Sequence, residues 1–99
     1  MAAVDPDALK LYSFTLFSKL EGAVTALMVH VGDRLGLYRA LAEVGGPVTS
    51  EELATRTGLD ERCVREWLYN QGAAKLVAFD EDGGRFWLTP EGVAVTADA

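Results

Sequence analysis

The sequence has few of the residues on which most catalytic and metal sites depend. It contains one cysteine, Cys63, and one histidine, His30. A single cysteine excludes an internal disulfide and any metal cage of several thiolates, which is typical of a reducing compartment. A single histidine excludes paired-histidine metal motifs and leaves no obvious couple of nucleophile and base. We therefore expect no catalytic or metal site and interpret His30 as a packed or interface imidazole.

Cys63 falls in the first turn of a predicted helix, where the helix dipole can lower the pKa of a thiol. The sequence places no cationic cleft or histidine partner beside it, so we interpret this cysteine as unreactive.

Positive charge is also scarce. Nine Lys and Arg face fifteen Asp and Glu, which gives a formal net charge of −6. Such a chain is repelled by nucleic-acid phosphates and by anionic membrane surfaces. The N-terminus lacks the basic and apolar regions of a signal peptide, and the longest uncharged run, 22–32, is about half of the roughly 20 residues that span a bilayer. These features predict a cytoplasmic protein without a membrane partner.

No glycine-rich loop for a nucleotide is present. The glycines around Gly32 and Gly36 and the pairs Gly45-Gly46 and Gly83-Gly84 do not form G-x-G-x-x-G, and none follows a buried strand and opens a helix. The acidic run 80–82 is typical of a solvated hairpin tip rather than of a cation site. We expect this chain to bind no cofactor by itself.

An apolar helical segment opens the chain. Asp5-Pro6 predicts a helix start, Gly22 predicts a break or kink, and Gly36 predicts the end of a second helix after Leu35. Because apolar residues point to more than one face, these helices either wrap the domain's own core or interlock with a second copy, and we favour a homodimer. The predicted interface residues are Leu9, Tyr12, Phe14, Leu16, Phe17, Leu20, Val24, Leu27, Met28 and Val31.

The stretch Val48–Leu88 predicts a winged helix-turn-helix. A short helix 37–42 and the turn Gly45-Gly46-Pro47 precede it. Thr49 and Glu52 form a capping box, and Gly58 and Asp60 predict a left-handed turn and the cap of a second helix.

Val64, Trp67, Leu68 and Gln71 fall on one face of that second helix. Runs 76–79 and 85–88 then predict the β-hairpin wing. The predicted fold is mainly α with a small β-hairpin, divided into an N-terminal helical dimerisation arm (1–46), the winged helix-turn-helix (47–89) and the start of a linker helix (90–99).

The predicted fold itself suggests DNA binding, with Arg56, Arg62 and Arg65 as a local basic patch. Charge argues against this function, because Asp60 and Glu61 open the second helix and the wing tip carries three acids against one arginine. A small winged-helix transcriptional regulator is therefore the alternative hypothesis. A protein–protein adaptor that uses the wing is a third.

Several motifs carry a family likeness. The segments 35–38, 49–54, 58–62 and 64–68 lie within a stretch, 32–80, that resembles the N-terminal winged-helix domain of bacterial S-adenosylmethionine-dependent methyltransferases, including O-methyltransferase-like enzymes. The likeness covers about residues 9–99. Lys75 stands where such domains often have glycine, and Gly72 where they usually have alanine.

The resemblance implies that the leading helices interlock two subunits and that the winged helix packs beside a catalytic domain, where it shapes the substrate cavity. It also implies that S-adenosylmethionine binds a Rossmann-like domain beyond residue 99, since no cofactor or catalytic residue of the family matches a position in this chain. The function we expect is that of a dimerisation and substrate-capping domain of a small-molecule methyltransferase, non-catalytic by itself.

Overall fold

The computed structural model describes residues 3–97 and is mainly helical, with one small antiparallel sheet. The elements in chain order are α1 (Pro6–Arg34), α2 (Leu37–Val44), β1 (Val48–Thr49), α3 (Ser50–Thr57), α4 (Glu61–Ala73), β2 (Ala78–Asp80), β3 (Arg85–Trp87), α5 (Pro90–Gly92) and a π-helical segment (Val93–Ala97). This order confirms the predicted winged helix-turn-helix, and one long apolar helix precedes it.

Helix α1 is continuous, so the predicted break at Gly22 is wrong. A single glycine costs about 1 kcal/mol relative to alanine inside a helix, and a helix of 29 residues retains its hydrogen bonds on both sides of it. The predicted cap is confirmed, since the Asp5 carboxylate accepts a hydrogen bond from the Asp7 N–H at 3.4 Å. Helix α1 ends at Arg34, and Gly36, with φ of 72°, makes the left-handed turn into α2.

The helix-turn-helix forms through the predicted caps. Glu52 N–H donates to Thr49 Oγ1 at 3.1 Å and Thr49 N–H donates to Glu52 Oε1 at 3.2 Å, which is a complete capping box. Gly58 ends α3 with φ of 73°. The Asp60 carboxylate then accepts from Cys63 N–H at 3.1 Å and caps α4. These contacts set the angle at which α4 crosses the domain.

The sheet has a third strand that the sequence did not predict. Its order is β1-β3-β2, with Val48 opposite Phe86 across β1 and β3, and Phe79 opposite Phe86 across β2 and β3. Strand β1 has only two residues, too few for an alternating apolar pattern to identify it. Both wing strands are also shorter than predicted. Strand β2 begins two residues later, because the chain from Ala74 to Val77 forms the turn that leaves α4.

One hydrophobic core joins α2, α3, α4 and the sheet. The predicted inward face of α4 is confirmed, since Val64, Trp67, Leu68 and Gln71 are buried. The other core residues are Leu37, Tyr38, Ala40, Leu41, Val48, Leu53, Ala54, Val77 and Phe86. From α1, only its C-terminal part reaches this core, through Met28, Val29 and Val31.

The molecule is elongated because of α1. Its principal extents are 58 × 31 × 24 Å and its radius of gyration is 16.9 Å, whereas a compact chain of 100 residues has a radius of about 13 Å. Among the residues of α1, Gly32 alone is fully buried. The large apolar side chains of the first half of the helix are half-exposed or more.

Candidate interaction surfaces

One face of α1 is an apolar surface open to solvent along most of the helix. With about 100° between successive residues, five side chains point in nearly the same direction, and each is half-exposed or more; we call this set the outer stripe. Its members are Leu9, Leu16, Leu20, Val24 and Leu27. An exposed apolar row of this length on a small domain marks an interaction surface.

The first turns of α1 are also apolar outside the outer stripe. Tyr12, Phe14 and Phe17 lie on its two sides and are 72%, 74% and 59% exposed. Two other predicted interface residues differ, because Met28 and Val31 are half-buried against the domain's own core. The structure therefore brings eight of the ten predicted interface residues to one exposed helix and places the other two beside a groove.

That groove lies between the end of α1 and the start of α4, and we call it the α1–α4 groove. It has a volume of about 530 Å³. Its floor is apolar and consists of Met28, Val31, Leu35, Leu37, Leu59, Val64 and Trp67, while Asp60, Arg62, Cys63 and Glu66 stand at its rim. The sequence did not reveal it, because α1 and α4 are separated by nearly thirty residues and no local pattern joins them.

Helix α4 runs antiparallel to α1 beside this groove. Trp67 of α4 donates a hydrogen bond from Nε1 to the carbonyl oxygen of Met28 at 2.8 Å. Further along, Asn70, Ala73 and Ala74 line a shallow depression with Phe17, Leu20, Glu21, Val24 and Thr25. Later residues of α4 therefore meet earlier residues of α1.

Cys63 is exposed at the rim of the α1–α4 groove. A hydrogen bond to the Asp60 carboxylate, together with the negative charge of that group, raises the pKa of the Cys63 thiol. The contact with Asp60 therefore acts against the lowering of the thiol pKa that a helix dipole favours. The hydrogen bond that the backbone N–H of Cys63 donates to the Asp60 carboxylate lowers the pKa of Asp60.

A polar cleft lies on another side of the domain, where the π-helical segment packs on α1 and α2. Its volume is about 420 Å³, and its lining includes the polar residues His30, Asp33 and Arg39, with Tyr38 and Thr96 beside them. The pKa of Tyr38 is raised to about 12, first by burial of its ring and then by the charge of Asp33. The sequence did not single out Asp33 and Arg39, which come together only when α2 folds back on α1.

Two of the three arginines of the DNA-binding alternative lie beside glutamates. Arg56 is paired with Glu43 at 3.5 Å, and Arg65 Nε lies 3.6 Å from Glu61. Arg62 lies at the rim of the α1–α4 groove. The wing tip carries Asp80, Glu81 and Asp82 as predicted, and these acids are exposed.

No group of histidine, cysteine and carboxylate side chains within residues 3–97 could hold a metal ion. Helix α1 is long and apolar enough to cross a membrane by length and composition, with none of the relevant segment buried in the domain.

The chain belongs to the Rv2258c-like winged helix-turn-helix domain family, which residues 23–97 match. No curated protein matches the chain.

Solved structures that share the fold include two methyltransferases. Mitomycin 7-O-methyltransferase MmcR has a TM-score of 0.79 and 26% identity over 92% of this chain. CalO1, a methyltransferase in calicheamicin biosynthesis solved with S-adenosylhomocysteine (SAH) bound, has a TM-score of 0.71 and 28% identity over 98% of it. LepI, solved in complex with S-adenosylmethionine (SAM), shares the fold at 21% identity over 85% of this chain, with a TM-score of 0.68.

The chain spans 26%, 27% and 22% of the lengths of MmcR, CalO1 and LepI. The predicted likeness to the winged-helix domains of SAM-dependent methyltransferases is confirmed.

Proposed function

We propose that this chain is the dimerisation and substrate-capping domain of a cytoplasmic, small-molecule SAM-dependent methyltransferase, and that it is non-catalytic by itself. The observation that supports this proposal most directly is the outer stripe of α1, which lies on a domain whose structural relatives include two methyltransferases at 26% and 28% identity. In the parent enzyme a separate catalytic domain binds SAM and transfers the methyl group.

Dimerisation follows from the cost of leaving the outer stripe in water. Burying one leucine or phenylalanine side chain contributes about 1.5–3 kcal/mol, and α1 exposes several such side chains at half their surface or more. A second copy offers the same apolar row, so a two-fold arrangement covers both rows at once.

A bilayer is a less favourable cover for α1 than protein. Lys19 and Glu21 lie at the middle of the helix, where a bilayer would have its hydrocarbon centre. A charged residue at that depth costs about 2.5–3.5 kcal/mol. Between two protein helices, both side chains reach water at the flanks of the interface.

Substrate capping is supported by the polar cleft. His30, Asp33 and Arg39 offer an imidazole, a carboxylate and a guanidinium beside the segment Val93–Ala97. These groups can orient a polar small molecule by hydrogen bonds and charge without taking part in methyl transfer. We propose that this cleft forms the wall of the acceptor cavity and that the domain makes no contact with nucleic acid.

Sedimentation velocity tests the dimer. We expect the chain to sediment as a dimer at tens of micromolar, the Leu16→Glu variant as a monomer, and the Thr15→Glu variant as a dimer. Thr15 is exposed on the side of α1 away from the outer stripe, so it controls for the added charge. A monomeric wild-type chain would overturn the proposed dimer.

Steady-state kinetics of the parent enzyme test the capping role. We expect Arg39→Ala to raise the KM for the methyl acceptor while the KM for SAM is unchanged. A variant with unaltered acceptor KM, or with both constants raised equally, would contradict a role for the polar cleft in the acceptor cavity.

A further inference from the structure

We infer that the α1–α4 groove of one copy is the binding seat for the first turns of α1 of a second copy, with the two α1 helices antiparallel about a two-fold axis near Leu20. This inference rests on the proposed homodimer and specifies its geometry. The occupant of the groove is thus a segment of known sequence, residues 6–14 of the partner.

Most of the outer stripe has an apolar residue at the matching distance on the other side of Leu20. Leu9 and Val31 lie eleven residues on either side of it, and Leu16 and Val24 lie four residues on either side. An antiparallel copy centred on Leu20 therefore places four of the five stripe residues level with an apolar residue of the partner, and Leu27 level with Ser13. Val31 lies one turn beyond Leu27, the last residue of the outer stripe, and lines the α1–α4 groove, so a partner helix that covers the stripe continues into the groove.

Two phenylalanines beside the outer stripe favour the antiparallel arrangement of the two α1 helices over the parallel one. Phe14 and Phe17 lie on the same side of α1 as Glu21 and Thr25. At Glu21 and Thr25 this side of the helix faces α4 of the same chain. In a parallel dimer the N-terminal halves of the two α1 helices would lie beside each other, and Phe14 and Phe17 of both copies would stay in water. In the antiparallel dimer the corresponding sides of the two copies meet, so each Phe14 faces the other copy's α4.

The charged residues at the rim of the α1–α4 groove also favour the antiparallel arrangement. Helix α4 is antiparallel to its own α1, so the partner's α1 runs in the same direction as α4. Arg62 and Glu66 are one turn apart on α4, roughly 6 Å along its axis, and Asp7 and Lys10 are one turn apart on the side of α1 that carries Phe14. The partner's Asp7 then meets Arg62, and the partner's Lys10 meets Glu66.

The first turns of α1 cannot occupy the groove of their own chain. Asp7 and Leu35 are separated by 28 residues of helix and turn, or roughly 40 Å, and Leu35 lines the groove. Only a second copy can bring these residues together.

A charge exchange between Lys10 and Glu66 tests the seat. We expect Lys10→Glu and Glu66→Lys each to raise the dimer dissociation constant by on the order of tenfold, because each places two like-charge pairs in the dimer. An equimolar mixture of the two variants restores the wild-type constant through heterodimers, as does the double variant. Lys19→Glu, which makes the same charge change outside the groove, leaves the constant unchanged.

The native thiol gives a second, independent measurement. In Asp7→Cys the new thiol lies beside the partner's Cys63, so a short bifunctional maleimide should convert the dimer to a covalent one, and adding Cys63→Ser should abolish this product. A sedimenting dimer that shows neither the crosslink nor the charge rescue would overturn the seat and leave the homodimer standing. A chain that is monomeric before crosslinking would overturn both.

Discussion

The indole Nε1 of Trp67 donates a hydrogen bond to the backbone carbonyl of Met28 at 2.8 Å, and the same ring lies against Gly32 one turn further along α1. A Cβ at Gly32 would stand 2.3 Å from Cζ2 of Trp67, closer than any van der Waals contact. The absence of a side chain at Gly32 is therefore what lets α1 and α4 approach, and this approach forms the floor of the α1–α4 groove.

We expect Gly32→Ala to destabilise the domain by about 3 kcal/mol, because the added methyl group overpacks a buried contact and displaces the indole from its hydrogen bond. Gly22→Ala in the same helix is the matched control. No atom lies within 4 Å of a Cβ at Gly22, so alanine should stabilise that variant by about 0.5–1 kcal/mol through helix propensity. Urea unfolding followed by tryptophan fluorescence measures both, and equal effects of the two substitutions would contradict the close approach.

The buried hydrogen bond from the Tyr38 hydroxyl to Gln71 Oε1 predicts a second effect on stability. Gln71 is 0% exposed, so Tyr38→Phe leaves a buried amide oxygen without this donor. We expect a loss of about 2 kcal/mol in the free energy of unfolding. Tyr12→Phe removes a hydroxyl from an exposed ring and should change the stability of the monomer little, which isolates the effect of burial.

The same tyrosine makes stability depend on alkaline pH. Burial and the charge of Asp33 raise the pKa of Tyr38 from its ordinary value of 10.0 to about 12, so the folded chain holds this proton more tightly than the unfolded chain. The contribution of the protonated Tyr38 hydroxyl to the free energy of unfolding is complete below pH 10 and is lost as the pH rises toward 12. Urea midpoints between pH 9 and 11.5 should therefore fall more steeply for the wild type than for Tyr38→Phe. An equal fall of the urea midpoint with pH in the wild type and in Tyr38→Phe would contradict the raised pKa of Tyr38.

Local signals predicted most of the fold, and contacts between distant segments were what the sequence could not show. The caps at Asp5, Thr49 and Asp60 are properties of a few adjacent residues, and the structure has them as expected. Gly22 was misjudged because helix continuity depends on the hydrogen bonds of both neighbouring turns. The α1–α4 groove and the polar cleft depend on packing between separate helices, which periodicity does not report.

Lys75 has a conformation that its side chain disfavours. Its φ is 65° in the turn between α4 and β2, in the left-handed region that costs a non-glycine residue roughly 1–2 kcal/mol. We expect Lys75→Gly to stabilise the domain by about 1 kcal/mol, since relief of this strain exceeds the added entropy of the unfolded chain. Lys75→Ala removes the same side chain and keeps the strain, so it should not stabilise. A gain of equal size in both variants would indicate a charge effect instead.

The arrangement of the arginines predicts that the chain does not bind DNA despite its helix-turn-helix. Arg56 and Arg65 are each held by a glutamate, at 3.5 and 3.6 Å, and Asp60 and Glu61 stand at the start of α4, where a recognition helix would meet phosphates. Phosphate contacts supply most of the non-specific affinity for DNA, so we expect no change in the fluorescence anisotropy of a labelled random duplex at low salt. Binding that weakens steeply with salt, and that is lost in Arg62→Ala, would show instead that α4 reads nucleic acid.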